Sequence, residues 1–172
     1  LEDKLVVGIS SRALFDLEKE NRIFEEEGLE AYIDYQLEHE EEILDKGTAF
    51  PMVKAMLEAN EEKEEQLIEV IIMSKNSPDT GLRIFNSIEE YGLDITRAAL
   101  TGGEKLNTYL DACGVDLFLS RSKSDVQEAI DAGSAAALIY DPPEKYDPDT
   151  DRVRIAFDAD AVIFSEESEK YY

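Results

Sequence analysis

The sequence has one cysteine, one histidine and no tryptophan in 172 residues. Because Cys113 is alone, an internal disulfide is excluded. No apolar run approaches the roughly 20 residues that a membrane-spanning helix needs, and the chain does not open with the basic and apolar segments of a secretion signal. These absences predict a protein of the cytoplasm that does not enter a membrane.

Positive charge is also scarce, since 17 lysines and arginines stand against 41 acids and the net charge is −24. A partner such as DNA, RNA or an anionic membrane surface would require a basic patch, so these classes are excluded. The acidity favours solubility and loose binding of divalent cations. His39 lies among acids, and a single histidine does not make a metal site. A homo-oligomer is compatible with all of this.

Apolar runs alternate with segments of helical periodicity along the chain. Strands separated by helices are typical of βαβ units, which build parallel sheets. We therefore predict an α/β fold with three layers, Rossmann-like, around a mainly parallel sheet. The predicted strands are Leu5–Ile9, Ile68–Met73, Ile95–Leu100, Val115–Leu119 and Ala135–Tyr140.

The length of the chain and its hydrophobic content of 43% suit one domain with its own core, so we expect a single domain over 1–172. Residues 16–66 have a helical pattern, broken at Gly28, and predict a small cap-like helical excursion. Residues 141–151 are rich in proline and aspartate without periodicity, which predicts a turn-rich connection.

Two carboxylates follow an apolar run near the end of the chain. Val153 to Phe157 reads as a buried strand that leads into Asp158 and Asp160. Residues two apart in a strand share a face, and α/β sheets bind ligands at the carboxyl ends of their strands. Two neighbouring acids repel unless a cation lies between them. A hard cation such as Mg²⁺ suits these oxygens, so the pair predicts a magnesium site.

Other strand ends carry groups that could bind a phosphate. Ser74 ends a buried strand before a helix, so its hydroxyl and the following N–H groups could hold an anion. A capped loop explains Ser74 equally well. Thr101, Gly102 and Gly103 follow the next strand, where glycine permits close approach of a ligand, although a plain tight turn is an equal alternative.

Three charged residues within helical segments complete the candidates. Asp125 begins a predicted helix, where it could ligate a metal or act as a cap. Arg83 could reach a substrate if its side of the helix faces the cleft. Lys105 could neutralise phosphate charge, but a surface position is the simpler interpretation.

One internal similarity relates the two ends of the chain. Residues 7–24 align with residues 155–172 without a gap, so that Ser10 and Arg12 stand where Asp158 and Asp160 stand. The similarity fits either a duplication or chance, since strand–loop–helix units resemble one another.

Eight short motifs are spread over the chain: ISSRALF (9–15), YQLEHE (35–40), AFPMVKA (49–55), IIMSKN (71–76), GLRIFNSI (81–88), LTGG (100–103), VDLFLS (115–120) and IAFDADAVIFSEESE (155–169). Taken together, they resemble the cytosolic type I 5′-nucleotidases, a branch of the haloacid-dehalogenase-like phosphohydrolases. The resemblance implies Mg²⁺-dependent hydrolysis of nucleoside 5′-monophosphates. It makes Asp158 the nucleophile, which forms an aspartyl-phosphate, and Asp160 the general acid/base. It also places Ser74 at the phosphate-binding hydroxyl, with Asn76 beside it.

Several departures from that family favour other readings. Ala159 replaces the usual glycine between the acids, and residues 121–123 (RSK) replace an acidic loop that would supply a metal ligand. Asp111 stands where the family carries a lysine, and the chain ends two residues after Lys170, inside a predicted helix. These features favour the alternative to hydrolysis, a non-catalytic or divergent α/β module of the same family, as a fragment without a complete active site. A third reading is an enzyme for another phosphomonoester, such as a sugar phosphate.

Overall fold

A sheet of five parallel strands forms the centre of the protein. The structure, a computed structural model, describes residues 4–61, 65–143, 145, 147, 149 and 156. All four pairings among the strands of these described residues are parallel. The predicted α/β fold with a mainly parallel sheet is therefore confirmed. The strands are β1 (Leu5–Ile9), β2 (Ile68–Ser74), β3 (Arg97–Leu100), β4 (Leu117–Ser120) and β5 (Ala135–Leu138).

The strands lie in the order β3-β2-β1-β4-β5, which puts the first strand at the centre. Gly8 of β1 pairs with Ile71 on one side and with Phe118 on the other. Both edges of β1 are thus occupied. The chain moves outward from β1 through β2 to β3 and then crosses to β4, so the order reverses between β1 and β4. Open parallel sheets bind ligands at the carboxyl ends of the strands beside such a reversal.

Seven α-helices and one short 3₁₀ turn connect the described strands. The break at Gly28 is confirmed, since its φ of 92° is in the left-handed region that favours glycine. Helix α4 ends at Glu58 rather than near Gln66. The Asn60 carboxamide accepts from the N–H groups of Leu67 and Ile68 and turns the chain into β2 instead. The helices are α1 (Ser11–Leu14), α2 (Glu18–Glu27), α3 (Leu29–Glu38), α4 (Phe50–Glu58), α5 (Leu82–Glu90), α6 (Asn107–Cys113) and α7 (Lys123–Asp131), with the 3₁₀ turn at Pro78–Thr80.

Two apolar clusters cover the two faces of the sheet, as the predicted three layers require. In β2, Val70 and Ile72 belong to one cluster, and Ile71 and Met73 belong to the other, because alternate side chains of a strand face opposite sides. The first cluster adds residues of α4 and α5, among them Val53, and the second adds residues of α6 and α7. Strands buried on both faces explain the nearly continuous apolar runs of the sequence.

The predicted helical excursion over 16–66 contains α2, α3 and α4. Helix α4 packs on β2, while α2 and α3 pack mainly on each other. The division into a single domain over 1–172 with this excursion stays a prediction. None of the helices in the described part of the chain is long and apolar enough to cross a membrane.

Candidate functional site

The predicted nucleophile and its neighbour are outside the part of the chain that the structure describes. Asp158 and Asp160 belong to the undescribed segment 157–172, as does most of the strand predicted before them. Their roles, and the magnesium site that they would form, stay predictions. Within the described ranges, no group of three or more His, Cys, Asp or Glu side chains is placed to hold a metal ion.

The loops after β2 and β3 come together at the carboxyl edge of the sheet. The N–H of Thr101 donates to the carbonyl of Ser74 at 3.0 Å, and the N–H of Gly102 donates to that of Asn76 at 3.1 Å. Gly103 donates to the carbonyl of Lys75 at 2.7 Å. The phosphate-binding residues predicted on these two strands are therefore neighbours. The glycine N–H groups bind the adjacent loop in this structure, and the Thr101 hydroxyl donates to the Glu104 carbonyl at 2.8 Å. Of the groups predicted on these two strands, the Ser74 hydroxyl is therefore the better placed to bind a ligand.

The hydroxyl of Ser74 is buried and has two neighbours. It lies 3.1 Å from the hydroxyl of Ser11, the first residue of α1, and accepts the N–H of Asn76 at 3.2 Å. Sequence reasoning did not select Ser11 as a site residue. The alignment of 7–24 with 155–172 contained the relevant signal, because it placed the Ser10–Arg12 turn where the two acids stand.

Helix α3 covers the loop after β2 with polar side chains. The Tyr32 hydroxyl accepts from Gln36 Nε2 at 3.0 Å. Burial raises the pKa of Tyr32, and hydrogen bonds with Gln36, Thr80 and Asn76 oppose this shift. Although Asn76 lies near this hydroxyl, its buried Nδ2 has no well-aligned partner in the described structure. Asn76, a residue predicted to bind phosphate, therefore has an N–H donor without a well-aligned acceptor among the described residues.

Asp125 is third in α7 rather than at its start. Ser122 is the N-cap, and its hydroxyl accepts the N–H of Asp125 at 3.3 Å. The Asp125 carboxylate lies 2.6 Å from Lys75 Nζ, and Glu128 lies 4.0 Å from the same amine. Glu128 also pairs with Lys105 at 3.3 Å. A metal ion at Asp125 would have to displace Lys75.

Arg83 lies in a buried ion pair between helices. Its Nη1 donates to Glu20 Oε1 at 2.6 Å, and its Nε donates to the Glu42 carbonyl at 2.8 Å. The Arg83 side chain is 7% exposed and that of Glu20 is 6% exposed. This arrangement joins α5 to α2, and the guanidinium could reach a substrate only by leaving Glu20.

Two arginines bind one carboxylate beside the reversal of strand order. Arg12, which follows β1, donates to both oxygens of Glu18 from Nε and Nη2, each at 2.9 Å. Arg121, which follows β4, places Nη1 at 3.0 Å from Glu18 Oε1. The hydrogen bonds from Arg12 lower the pKa of Glu18, and the charges of Arg121 and Arg22 add to this although burial opposes it. The RSK sequence at 121–123, noted above as a departure from an acidic loop, thus places a cation beside Glu18.

A family model described as 5′-nucleotidase matches residues 1–172. The chain belongs to the 5′-nucleotidase family. Human cytosolic 5′-nucleotidase 1B is 38% identical over 176 residues, which are 99% of this chain and 29% of that relative. The chain thus spans about three tenths of the length of this curated relative. No solved structure matches the chain significantly.

Membership of the 5′-nucleotidase family confirms the resemblance drawn from the sequence motifs, and the family match includes the undescribed segment 157–172. A groove over the described residues lies elsewhere. It is open, measures about 370 Å³ and lies between the ends of α4 and α5. None of the predicted site residues lines it. The residues that do are Lys54, Leu57, Glu58, Asn60, Glu61, Tyr91, Gly92, Leu93 and Asp94.

Proposed function

We propose that this chain takes part in the hydrolysis of nucleoside 5′-monophosphates to nucleoside and phosphate, in a Mg²⁺-dependent reaction. The observation that carries the proposal is the match of the 5′-nucleotidase family to all of residues 1–172, which includes both predicted catalytic acids. The name of the human relative, a cytosolic 5′-nucleotidase, supports the same substrate class and a place in the cytoplasm. The partner is a small nucleotide rather than a nucleic acid, in keeping with the net charge of −24.

In the proposed reaction the carboxylate of Asp158 attacks the phosphorus and forms an aspartyl-phosphate. The bond to the nucleoside oxygen breaks, and Asp160 gives that oxygen its proton. Asp160 then takes a proton from water, which attacks the aspartyl-phosphate and releases phosphate. Two carboxylates separated by one residue are oxygen donors of the kind that Mg²⁺ prefers, and the bound ion would offset the negative charge of acids and phosphate.

The described carboxyl edge of the sheet would support this reaction by binding. Ser74 would hold a phosphate oxygen, with Asn76 as a further donor, and the Thr101 hydroxyl would do so only after leaving the Glu104 carbonyl. The contacts between the loops after β2 and β3 support this grouping. Arg83 would act indirectly, because its pairing with Glu20 holds α5 against α2.

The test is phosphate release from AMP and from a generic aryl phosphate, with and without Mg²⁺. Asp158→Asn should lower kcat by at least about 10³-fold, since it removes the nucleophile. Asp131→Asn is the matched control, because Asp131 is an exposed aspartate that binds Gln127 on α7. Release by Asp158→Asn at the wild-type rate would refute the assigned nucleophile. Release from the aryl phosphate alone would refute the nucleotide substrate.

A second candidate is a non-catalytic or divergent module of the same family. The observation that favours it is the centre of the sheet, where β1 is followed by Ser10-Ser11-Arg12 and both of its edges are occupied by β2 and β4. Well-folded wild-type protein that releases phosphate from neither substrate would support this candidate and reject hydrolysis.

A further inference from the structure

The segments that follow β1 and β4 hold an anion between them, the side chain of Glu18, and we call the position between these two strand ends the crevice. Arg12 and Arg121 approach this carboxylate from the ends of two different strands, at 2.9 and 3.0 Å. The crevice is also the place where the order of strands reverses, which is where open parallel sheets bind ligands. A carboxylate of the protein thus occupies a ligand position and shows that both guanidinium groups can reach one anion.

The two strand ends that form the crevice carry hydroxyl groups and arginines. Residues 10–12 read Ser-Ser-Arg and residues 120–122 read Ser-Arg-Ser, with no acid in either. Ser10 is 8% exposed, and its N–H donates to the carbonyl of Leu119 on β4 at 2.9 Å. Its buried hydroxyl has no hydrogen-bond partner within the described ranges. A buried hydroxyl without a partner is costly, so a ligand atom that bound it would be favoured.

A phosphate group suits these donors better than the carboxylate they now hold. The guanidinium of Arg12 already binds Glu18 through two parallel hydrogen bonds, a geometry that matches phosphate oxygens equally well. A phosphate dianion carries more charge than one carboxylate. The Glu18 side chain is 40% exposed at the first residue of α2, so it can rotate into solvent without unfolding the helix. Asp141, which also pairs with Arg121, is more exposed still.

We propose that the crevice between β1 and β4 binds the phosphate group of a small molecule, which Arg12 and Arg121 hold after Glu18 rotates out. Because neither strand end offers a carboxylate nucleophile, a phosphate ester bound there is retained and not hydrolysed. The proposal goes beyond hydrolysis and does not depend on Asp158 or Asp160. In this site the guanidinium groups of Arg12 and Arg121 recognise the phosphate, although the chain as a whole is acidic.

The test is isothermal titration calorimetry on the full chain carrying Asp158→Asn and Asp160→Asn, so that no turnover occurs. Orthophosphate and AMP distinguish free phosphate from a phosphate ester, and adenosine lacks the phosphate. We expect at least one of the two phosphate probes to bind and adenosine not to bind. Arg12→Gln and Arg121→Gln should each weaken binding at least tenfold, and Glu18→Gln should tighten it severalfold by removing the competing carboxylate.

Arg97→Gln is the matched control, because Arg97 also pairs with a carboxylate, that of Glu69, but at β3. Circular dichroism verifies the fold of each variant. Failure of both phosphate probes to bind, or equal weakening by Arg97→Gln, overturns the proposal. If an arginine variant does not fold, the Glu18→Gln variant provides the test. A phosphate affinity equal to that of the protein with Glu18 then overturns the proposal.

Wild-type protein separates the two proposals. If phosphate binding needs Asp158 and Asp160 but not Arg12, the phosphate binds at the two acids. That result would overturn the proposed site at Arg12 and Arg121 and leave the proposed function standing. Arginine-dependent binding by protein without hydrolytic activity would support the second site and reject the proposed function.

Discussion

Arg83 and Glu20 form an ion pair of 2.6 Å between α5 and α2, and both side chains are less than one-tenth exposed. The pair is 63 residues apart in sequence. Arg83 also binds the Glu42 carbonyl at 2.8 Å, so it joins α2, α5 and the segment after α3. Removing one partner of such a pair leaves the other charge buried, which costs far more than the pair itself contributes.

We therefore expect Arg83→Met to lower the free energy of unfolding by about 3–5 kcal/mol. The double variant Arg83→Met/Glu20→Gln should lose less, because no charge is then left without its partner. Urea denaturation followed by circular dichroism measures both. Arg97→Met, in a half-exposed pair, is the control and should lose about 1 kcal/mol or less. If Arg83→Met also lost only about 1 kcal/mol, the Glu20 charge would not depend on Arg83 for its stabilisation.

Asp125 should act as the partner of Lys75 and not as a metal ligand. A double-mutant cycle with Lys75→Met and Asp125→Asn should give a coupling of about 1 kcal/mol in stability, since the contact is only partly exposed. Asp125→Asn should leave the Mg²⁺ concentration for half-maximal hydrolysis unchanged. A tenfold rise in that concentration, with the coupling near zero, would instead identify Asp125 as a ligand.

Stability should depend on pH through Glu18. Hydrogen bonds from Arg12 hold the pKa of this carboxyl below its ordinary value of 4.5. The folded state therefore takes up the proton at lower pH than the unfolded state does. The stabilisation is present above the ordinary value and is lost as pH falls through the folded-state pKa.

When the pH falls from about 6.5 to about 3.5, the free energy of unfolding should accordingly decrease less in Glu18→Gln than in the wild type. Guanidinium denaturation at the two pH values measures the difference. The control is Glu30→Gln, an exposed glutamate on α3. Identical pH slopes for wild type and Glu18→Gln would contradict the assignment.

Gly47 should not tolerate a side chain. A Cβ built at this position would lie 2.7 Å from the carbonyl oxygen of Ala13 and 2.8 Å from that of Leu14. Both obstacles are backbone atoms, so neither can rotate away. We expect Gly47→Ala to lower the free energy of unfolding, measured by urea denaturation, by about 1–3 kcal/mol. Asp45→Ala, at an exposed position in the same segment, should change it little, and an equal effect of both would argue against the steric explanation.

The elements of the fold could be predicted from the sequence because each has a local cause. Continuous apolar runs marked the strands, and Gly28 marked the break between α2 and α3. Boundaries were less accurate where a side chain decided them. Ser122 rather than Asp125 caps α7, and Asn60 ends α4 by binding the start of β2. The order of the strands depends on pairings between distant residues, which no local pattern contains.

In the candidate site, too, some features could be predicted from the sequence and others could not. The meeting of Ser74 with Thr101 could be predicted, since both follow strands of one parallel sheet. The partners of Arg83 and Arg12 could not, because the direction of a side chain around a helix or turn depends on tertiary packing. The importance of Glu18 was hidden for that reason, although it is only six residues from Arg12.

The central place of β1 also determines when the protein can fold. During synthesis β1 emerges before the other four described strands, yet its neighbours are Ile68–Ser74 and Leu117–Ser120. Its apolar residues must therefore wait until the chain has been made through Ser120 before both hydrogen-bonding edges of β1 are covered. Because contacts of such sequence separation form slowly, nascent β1 is the segment that most needs protection from aggregation.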